Sequence, residues 1–380
     1  MPDRRGSWVL KNLILPNWFL RNILLPNNEI IDKPGYIISK YVGKGTNCYV
    51  REVFLPEIVL SDLETRIIAR HGEKGRAAVY RAGKLWGIRY GITTGLPKKK
   101  RLPKKDFMEF MDTFMSFLES EYATNAAYLL DYDRDRFISS YDDMMVCRLN
   151  GHGDFLTGTM SGAWQHMTGR QIEGIHGSCQ GRGDKKCVLE CAPPGLLKKK
   201  GKLYGKAIPR DLGIEKEYFA FNTIKKAQYA RNSFATLLEG RVFSYKNGIF
   251  ECKGQRFMLN EASSVYFLEI MLNALEGGED ILFDTAFDYF KAFGMRNISP
   301  NLAHDLLPAL GWGDINVTAD AKKAFCIGYP WTKYAKKTSF PILRGMLSGL
   351  VSSFAGRDVR FNKVTRTTSS GSLNLVLQVD

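Results

Sequence analysis

The sequence lacks the long apolar runs and the nucleotide-binding fingerprints that mark several large protein classes. No stretch reaches about 18 uninterrupted apolar residues, which argues against a membrane-spanning helix. Pro16, Asn17, Arg21 and Asn22 break the apolar N-terminal run, so a cleavable signal peptide is not expected. There is no P-loop, dinucleotide fingerprint, Ser/His/Asp arrangement or defensible acid–base carboxylate pair. These absences favour a cytoplasmic protein without enzymatic activity.

Acidic side chains are scarce relative to basic ones. The 380 residues include 54 Lys and Arg but 39 Asp and Glu, which gives a net charge of +15. This imbalance suggests an acidic partner: nucleic acid, an anionic membrane surface or an acidic protein. Two lysine-rich stretches, 97–105 and 198–202, are predicted to be exposed loops that bind such a partner. Aromatic residues do not interleave with these lysines, so base stacking is not predicted.

Cysteines are few and unevenly spaced. Their odd number, seven, and the absence of a signal peptide argue against a disulfide framework. Four of the seven lie between residues 147 and 191, together with three of the five histidines, His152, His166 and His176. Such a concentration of soft ligands indicates a metal site. Cys48, Cys147, Cys252 and Cys326 are ordinarily interpreted as small buried core residues.

Residues 1–35 form an apolar arm in which 11–17 is nearly repeated as 21–27. Prolines interrupt any single long helix there, and the apolar side chains must be covered by the chain itself, a partner subunit or a membrane surface. Further along, the spacing of Phe and Met predicts an amphipathic helix over 107–118, either core or the wall of an apolar ligand pocket. Residues 137–149 are predicted to be a strand and 155–168 a helix. Residues 171–178 and 186–190 are predicted to form a hairpin.

The two halves of the chain resemble each other. Residues 155–170 recur as 342–357 at an offset of 187, and 53–57 resembles 257–261. A period of this size indicates a duplicated domain, whose copies can pack as a homodimer does. We therefore predict an N-terminal arm (1–35), a first domain (36–192), a basic linker (193–239) and a degenerate second domain (240–380).

One hairpin carries the strongest candidate ligands. Cys179 and Cys187 stand at its two ends, so both thiolates can face one ion, and His176 lies three residues before the first. Asp154, His152 and Cys147 are the candidates for a fourth ligand. Four good ligands would make a closed, structural zinc site. The second copy has neither Cys nor His at the matching positions, Lys363, Arg366 and Asn374.

The glycines and ligands of 158–187 resemble the V4R (4-vinyl reductase) domain. The matching pattern is Gly158-x3-Gly162-x6-Gly169, then His176-x2-Cys179-x3-Gly183-Asp184-x2-Cys187. That family is similar to sensor domains of phenol-responsive activators and to subunits of the TRAPP tethering complex. The resemblance implies an α+β fold, in which an antiparallel sheet has flanking helices, and here two such domains arranged as a pseudo-dimer.

The resemblance also implies a zinc site. In metal-binding members a Cys, a Glu-x2-Cys pair and a further Cys hold the ion. Cys179 and Cys187 match the last two cysteines, and His176 occupies the Glu position. The first Cys is expected near 152–154, where this chain has His152-Gly-Asp154. The predicted ligands are therefore Cys179, Cys187, His176 and Asp154.

Family members bind hydrophobic or aromatic small molecules, and some are linked to tetrapyrrole metabolism. No ATPase or DNA-binding module follows the first copy. The resemblance therefore favours a non-enzymatic adaptor or assembly factor that binds a hydrophobic or tetrapyrrole ligand and contacts proteins through the pseudo-dimer and the arm. Two alternatives stay open: a basic protein bound to nucleic acid or the ribosome, and a tetrapyrrole vinyl reductase or its subunit.

Overall fold

The computed structural model describes residues 4–5, 28–43, 46–205, 226–246, 249–331, 338–369 and 372–380. Most of the predicted apolar arm, including both halves of its repeat, lies outside these residues. The chain forms two compact units. The first contains most described residues between 60 and 205, and the second contains 28–59, 226–245 and 250–380.

The described elements are strands and helices of mixed order. The strands are β1 (Arg4–Arg5), β2 (Asn28–Lys33), β3 (Tyr36–Gly43), β4 (Thr46–Pro56), β5 (Thr124–Asp131), β6 (Arg136–Asp142), β7 (Glu173–Ser178), β8 (Cys187–Ala192), β9 (Ser244–Lys246), β10 (Ile249–Cys252), β11 (Gln255–Glu261), β12 (Asp314–Val317), β13 (Lys323–Tyr329), β14 (Phe361–Ser369) and β15 (Ser372–Val379). The α-helices are α1 (Glu57–His71), α2 (Glu73–Thr93), α3 (Lys104–Tyr122), α4 (Cys147–Asn150), α5 (Asp154–Thr168), α6 (Pro194–Leu197), α7 (Phe234–Glu239), α8 (Ser263–Leu272), α9 (Gly278–Asn297), α10 (Pro300–Ala309) and α11 (Pro341–Ala355). With 46% helix and 27% strand, all strand pairs antiparallel and helices flanking the sheets, the predicted α+β class is confirmed.

Both units contain four strands in the same order. The first unit has β5-β6-β8-β7, with β1 added at the β5 edge, and the second has β12-β13-β15-β14. In each unit a long helix pairs with the helix that precedes the hairpin, α2 with α5 and α9 with α11. The predicted duplication of residues 155–170 therefore corresponds to a duplicated helix-and-hairpin frame.

A third sheet explains why the units do not follow the predicted boundaries. It has the order β2-β3-β4-β11-β10-β9, and nearly all of its residues belong to the second unit. The pairing of β4 with β11 places Phe54 opposite Leu259 and Leu55 opposite Met258. Residues 36–59, predicted to be part of the first domain, thus lie in the second unit because their backbone hydrogen bonds are made there.

The end of the predicted linker is also part of the second unit. Asp314 accepts hydrogen bonds from the backbone nitrogens of 228–230, and Asp32 accepts them from Phe234 and Ala235. These carboxylates satisfy the backbone donors of the segment that leads into α7. Residues 226–239 are therefore folded as part of the second unit, whereas they were predicted to belong to a basic linker.

Small residues let α2 and α5 lie close together. A Cβ atom at Gly87 would overlap the carbonyl oxygen of Thr159, and one at Gly162 would overlap that of Lys84. Gly83 and Gly158 make the same kind of approach one turn away. This contact fixes the start of α5, and so the loop that precedes it, relative to the rest of the first unit.

The predicted local elements fall into place with one correction. The helices at 107–118 and 155–168 and the hairpin lie within α3, α5 and β7–β8. The strand predicted over 137–149 ends at Asp142, because the chain then turns through Asp143 and Val146, both with positive φ, into α4. Among the described helices, none is both long enough and apolar enough to cross a membrane.

The two lysine-rich stretches differ. Residues 198–202 are exposed, as predicted. In 97–105, however, Lys98 donates a hydrogen bond of 2.5 Å to the carbonyl of His166, and Lys99 bonds the carbonyl of Tyr132 and the carboxylate of Asp135. These hydrogen bonds hold Lys98 and Lys99 against the first unit. The stretch therefore exposes fewer lysines than predicted.

Candidate metal centre

Four buried or half-buried side chains converge in the first unit. They are Cys147, His176, Cys179 and Cys187, and their donor atoms all lie within 4.8 Å of one another. The Sγ atom of Cys187 is 3.2 Å from that of Cys147 and 3.9 Å from that of Cys179. Among the described residues, this is the one group of at least three potential ligands close enough to hold an ion.

Cys147 reaches the group because the chain reverses sharply before it. Val146 has φ 68° and ψ −66°, a conformation that β-branched residues rarely adopt. The Cys147 nitrogen then bonds the carbonyl of Met145, and α4 begins. Strained backbone of this kind persists only where surrounding structure enforces it, and it is frequent at functional sites.

The hairpin supplies two further thiols. Its loop is closed by Asp184, whose carboxylate accepts a 2.7 Å hydrogen bond from the Cys179 nitrogen. The Gln180 nitrogen points at the sulfur of Cys187 at 3.4 Å, and the Cys179 thiol lies 3.2 Å from the carbonyl of Cys147. The turn therefore holds both sulfurs inward, and both cysteines are fully buried.

His176 is oriented like a metal-binding imidazole. Its Nδ1 donates to the carbonyl oxygen of His152 at 2.5 Å, so Nε2 is the ring nitrogen left to ligate an ion. That Nε2 is buried and has no hydrogen-bond partner. A bound cation would satisfy this unpartnered nitrogen beside three thiols, since buried polar atoms are otherwise paired.

Neighbouring side chains shift the pKa values within this group, and a bound cation would change them. Hydrogen bonds with Cys147 and Cys187 lower the pKa of the Cys179 thiol, and hydrogen bonds with Cys179 and Cys187 raise the pKa of Cys147. Burial opposes a charged His176, but the neighbouring thiols outweigh it and raise the pKa of that imidazole to about 9. A metal ion would displace these protons, because thiolates and neutral imidazole are the ligating forms.

Three of the four predicted ligands belong to the group, and the fourth does not. Asp154 lies at the start of α5, where its Oδ2 accepts a 3.2 Å bond from Arg76. His152 contributes its carbonyl to His176, and its ring Nδ1 lies 3.3 Å from Arg76. The fourth position is taken by Cys147, which was predicted as a core residue and as one of three alternatives. The resemblance puts the first Cys near 152–154, several residues after Cys147. The turn through Val146 that brings Cys147 to the group gives no signal in the sequence pattern.

Glu64, which the sequence pattern does not single out, supports the loop between Cys147 and α5. Glu64 of α1 is fully buried, and its carboxylate accepts hydrogen bonds from the backbone nitrogens of Gly153 and Phe155, at 3.1 and 2.8 Å, and from the Asn150 amide. Burial raises the pKa of Glu64 to about 7. It thereby caps α5 and fixes the loop between Cys147 and that helix. A lone Glu in an amphipathic helix gives no signal for such a role.

A second feature of the first unit is an apolar pocket of about 40 Å³ among α2, α3 and α5. Its walls include Trp86, Phe114, Phe117, Tyr141 and Met160. Part of the predicted Met/Phe face therefore lines this pocket. Phe107, Met111 and Met115 of the same face are buried core residues.

No family model matches the chain, and no curated protein is significantly similar to it.

Proposed function

We propose that this is a non-enzymatic tandem V4R protein that binds a hydrophobic, aromatic or tetrapyrrole molecule and acts as an adaptor or assembly factor. The observation that carries the proposal is the aromatic-lined pocket beside a closed Cys3His group. Phe and Met side chains can re-pack around a flat ligand. The pocket, about 40 Å³ when empty, would therefore widen to admit one.

The Cys3His group is proposed to hold structural zinc. Its three soft thiolates and one imidazole make up a tetrahedral donor set that zinc prefers. All four positions are protein side chains, so no water remains to be activated. The ion would join α4, β7 and the hairpin loop, and its role would be to stabilise the first unit.

The two copies are further proposed to form a pseudo-dimer through β4 and β11. The repeat equates Phe54 with Met258 and Leu55 with Leu259. The observed register pairs Phe54 with Leu259 and Leu55 with Met258. Exchanging the copies therefore reproduces the same two pairs, which is the property of a two-fold interface.

Ligand binding is tested with two phenylalanines of α3. Phe117 lines the pocket and Phe110 does not. A phenol-sized aromatic probe and protoporphyrin IX are titrated into wild-type protein, Phe117→Ala and Phe110→Ala. We expect at least one probe to bind, with affinity about tenfold weaker in Phe117→Ala, since an aromatic contact contributes roughly 1 kcal/mol or more. Absence of binding, or equal loss in both variants, contradicts the proposal.

The metal is tested by elemental analysis of purified protein. We expect about one zinc per chain, lost in Cys147→Ser and retained in Asp154→Asn. Metal-free wild-type protein would reject zinc, and loss in Asp154→Asn alone would restore the ligand set predicted from the family spacing.

A further inference from the structure

A polar cleft of about 230 Å³ lies in the first unit, distinct from the apolar pocket. Its walls come from the start of α2, the loop before α5, strand β7 and the exposed segment at 200–204. Four cationic side chains line it: Arg76, Arg182, Lys200 and Lys202. Asp154 is the one carboxylate in this lining. The proposed function uses none of these charged groups, although His176 of the Cys3His group also lines the cleft.

The two guanidinium groups are held in place by neutral acceptors as well as by charge. Arg182 donates to the carbonyls of Gly151 and His176, at 2.7 and 3.4 Å. Arg76 contacts Asp154 at 3.2 Å and the Nδ1 of His152 at 3.3 Å. Because His152 accepts at Nδ1, its Nε2 carries the proton and is a further donor along the cleft wall.

The lysines reach the cleft from the exposed segment. Lys200 pairs with Glu190 at 2.8 Å, and Lys202 pairs with Glu73 at 2.9 Å. Neither Glu190 nor Glu73 lines the cleft, and Glu190 is mostly buried, whereas Lys202 and Glu73 are exposed. The exposed Lys202–Glu73 pair contributes little, typically below about 1 kcal/mol, so Lys202 can turn to an incoming anion at small cost.

The floor of the cleft adds no free negative charge. The Tyr80 hydroxyl accepts a 2.9 Å bond from the Gly174 nitrogen and donates to Glu173 at 2.8 Å. Glu173 is buried and is neutralised by Lys84 at 2.7 Å. The carboxylate beneath the floor is therefore fully compensated, and the lining retains an excess of cations.

We propose that this cleft binds a small dianion, a phosphate or a dicarboxylate. Planar guanidinium groups match the paired oxygens of both, and a volume below the roughly 300 Å³ of drug-sized pockets fits a small ligand. Arg76 and Arg182 form the fixed part of the site, and Lys200 and Lys202 close over it. The inference does not depend on a bound metal or on the apolar ligand.

Calorimetric titration of the purified protein tests the proposal, with inorganic phosphate and malonate as probes. Arg182→Gln is compared with Lys185→Gln, an exposed residue of the same hairpin that lies outside the cleft. Both changes remove one positive charge. We expect one probe to bind with a Kd below 1 mM, and Arg182→Gln to weaken it about tenfold, while Lys185→Gln changes it less than twofold.

A second pair guards against a folding defect in Arg182→Gln. Lys202→Gln is compared with Lys199→Gln, and both residues are exposed. We expect weaker binding in Lys202→Gln alone. Preference for inorganic phosphate or for malonate identifies the ligand class. Equal effects in cleft and control variants would show attraction to the net charge of the chain, and absence of binding to either probe would also overturn the proposal.

Discussion

The two units share a frame, but only the first brings potential metal ligands together among the residues that the structure describes. In the second unit the matching positions have other contacts. Lys363 pairs with Asp380 at 3.3 Å, Arg366 lies 4.9 Å from the Phe340 ring centre, and the Asn374 side chain accepts from the Gly328 nitrogen at 2.9 Å. The frame therefore forms without these ligands, and the cysteine group is an addition to it.

What the two units do share includes a buried glutamate. Glu64 caps α5 through Phe155, and Glu269 of α8 accepts from the nitrogen of Ile342 at 3.2 Å at the start of α11. Phe155 and Ile342 are paired by the repeat. Both glutamates are fully buried, and burial raises the pKa of each, to about 7 and about 8. The cap is thus a property of the frame, and it is present with or without the cysteines.

Metal removal should produce the largest difference between the units. With a strong chelator, we expect the free energy of unfolding to fall by about 4 kcal/mol or more, a loss typical of removing a structural metal. Hydrogen exchange should accelerate in 147–190 and stay unchanged in 338–379. Cys326→Ser in the second unit is the control, and it should leave the metal content unchanged. Equal acceleration in both segments would contradict a site confined to the first unit.

Stability should depend on pH through Glu269. Its pKa in the folded protein, about 8, exceeds the ordinary value of 4.5, mainly because of burial. The folded state therefore holds the proton more tightly, so this contribution is full below pH 4.5 and is lost as the pH rises through 8.

Urea unfolding at several pH values measures this effect. We expect a decrease of a few kcal/mol between these limits, since each pKa unit corresponds to about 1.4 kcal/mol. Glu269→Gln should reduce the pH dependence, part of which remains because the pKa of Glu64 is also raised, and Glu239→Gln, at an exposed glutamate of the same unit, should leave it unchanged. An unchanged slope in Glu269→Gln would show that this carboxyl does not titrate as described.

Replacing each capping glutamate by glutamine should lower the free energy of unfolding by different amounts in the two units. Glu64 accepts from three N–H donors, so an amide nitrogen must face at least one of them. We expect Glu64→Gln to cost about 2 kcal/mol, the penalty of an unsatisfied buried group. Glu269 faces one N–H donor and the Thr338 hydroxyl, which can accept from the amide, so Glu269→Gln at low pH should cost less than about 1 kcal/mol. Equal costs in urea unfolding would contradict this comparison.

The helix pairs should respond differently to an added methyl group. In the first unit a Cβ atom at Gly162 would lie 2.1 Å from the carbonyl oxygen of Lys84, and in the second unit a Cβ atom at Gly349 would lie 2.4 Å from that of Phe287. We expect Gly162→Ala to cost about 2–3 kcal/mol and Gly349→Ala about 1–2 kcal/mol, because the deeper overlap requires a larger shift of the helices. Thermal unfolding of both variants measures the difference. A larger cost for Gly349→Ala would reverse the ranking.

The smallest effects concern the basic stretches of the first unit. Lys198→Gln and Lys199→Gln should change stability by less than about 0.5 kcal/mol, since both side chains are exposed. Lys99→Gln should cost more, because it removes the bonds to Tyr132 and Asp135. A Lys99→Gln variant as stable as wild type would restore the interpretation of 97–105 as a free loop.

The sequence predicted those parts of the fold and site that depend on short-range patterns. Periodicity located α3 and α5, and the spacing of Cys179 and Cys187 placed two thiols at one hairpin. The repeat predicted a second frame without ligands. These features follow from neighbouring residues along one helix face or one turn, so the pattern itself carries the geometry.

Only the tertiary structure decided which residues meet. Cys147 joins the hairpin from 32 residues away because Val146 adopts a backbone conformation that its residue type disfavours. Asp154, the predicted ligand, is instead drawn to Arg76 of α2. Similarly, β4 bonds to β11 of the second copy on one side and to β3 of its own copy on the other. Contacts between distant segments depend on backbone turns and competing partners, and local composition and spacing do not encode either.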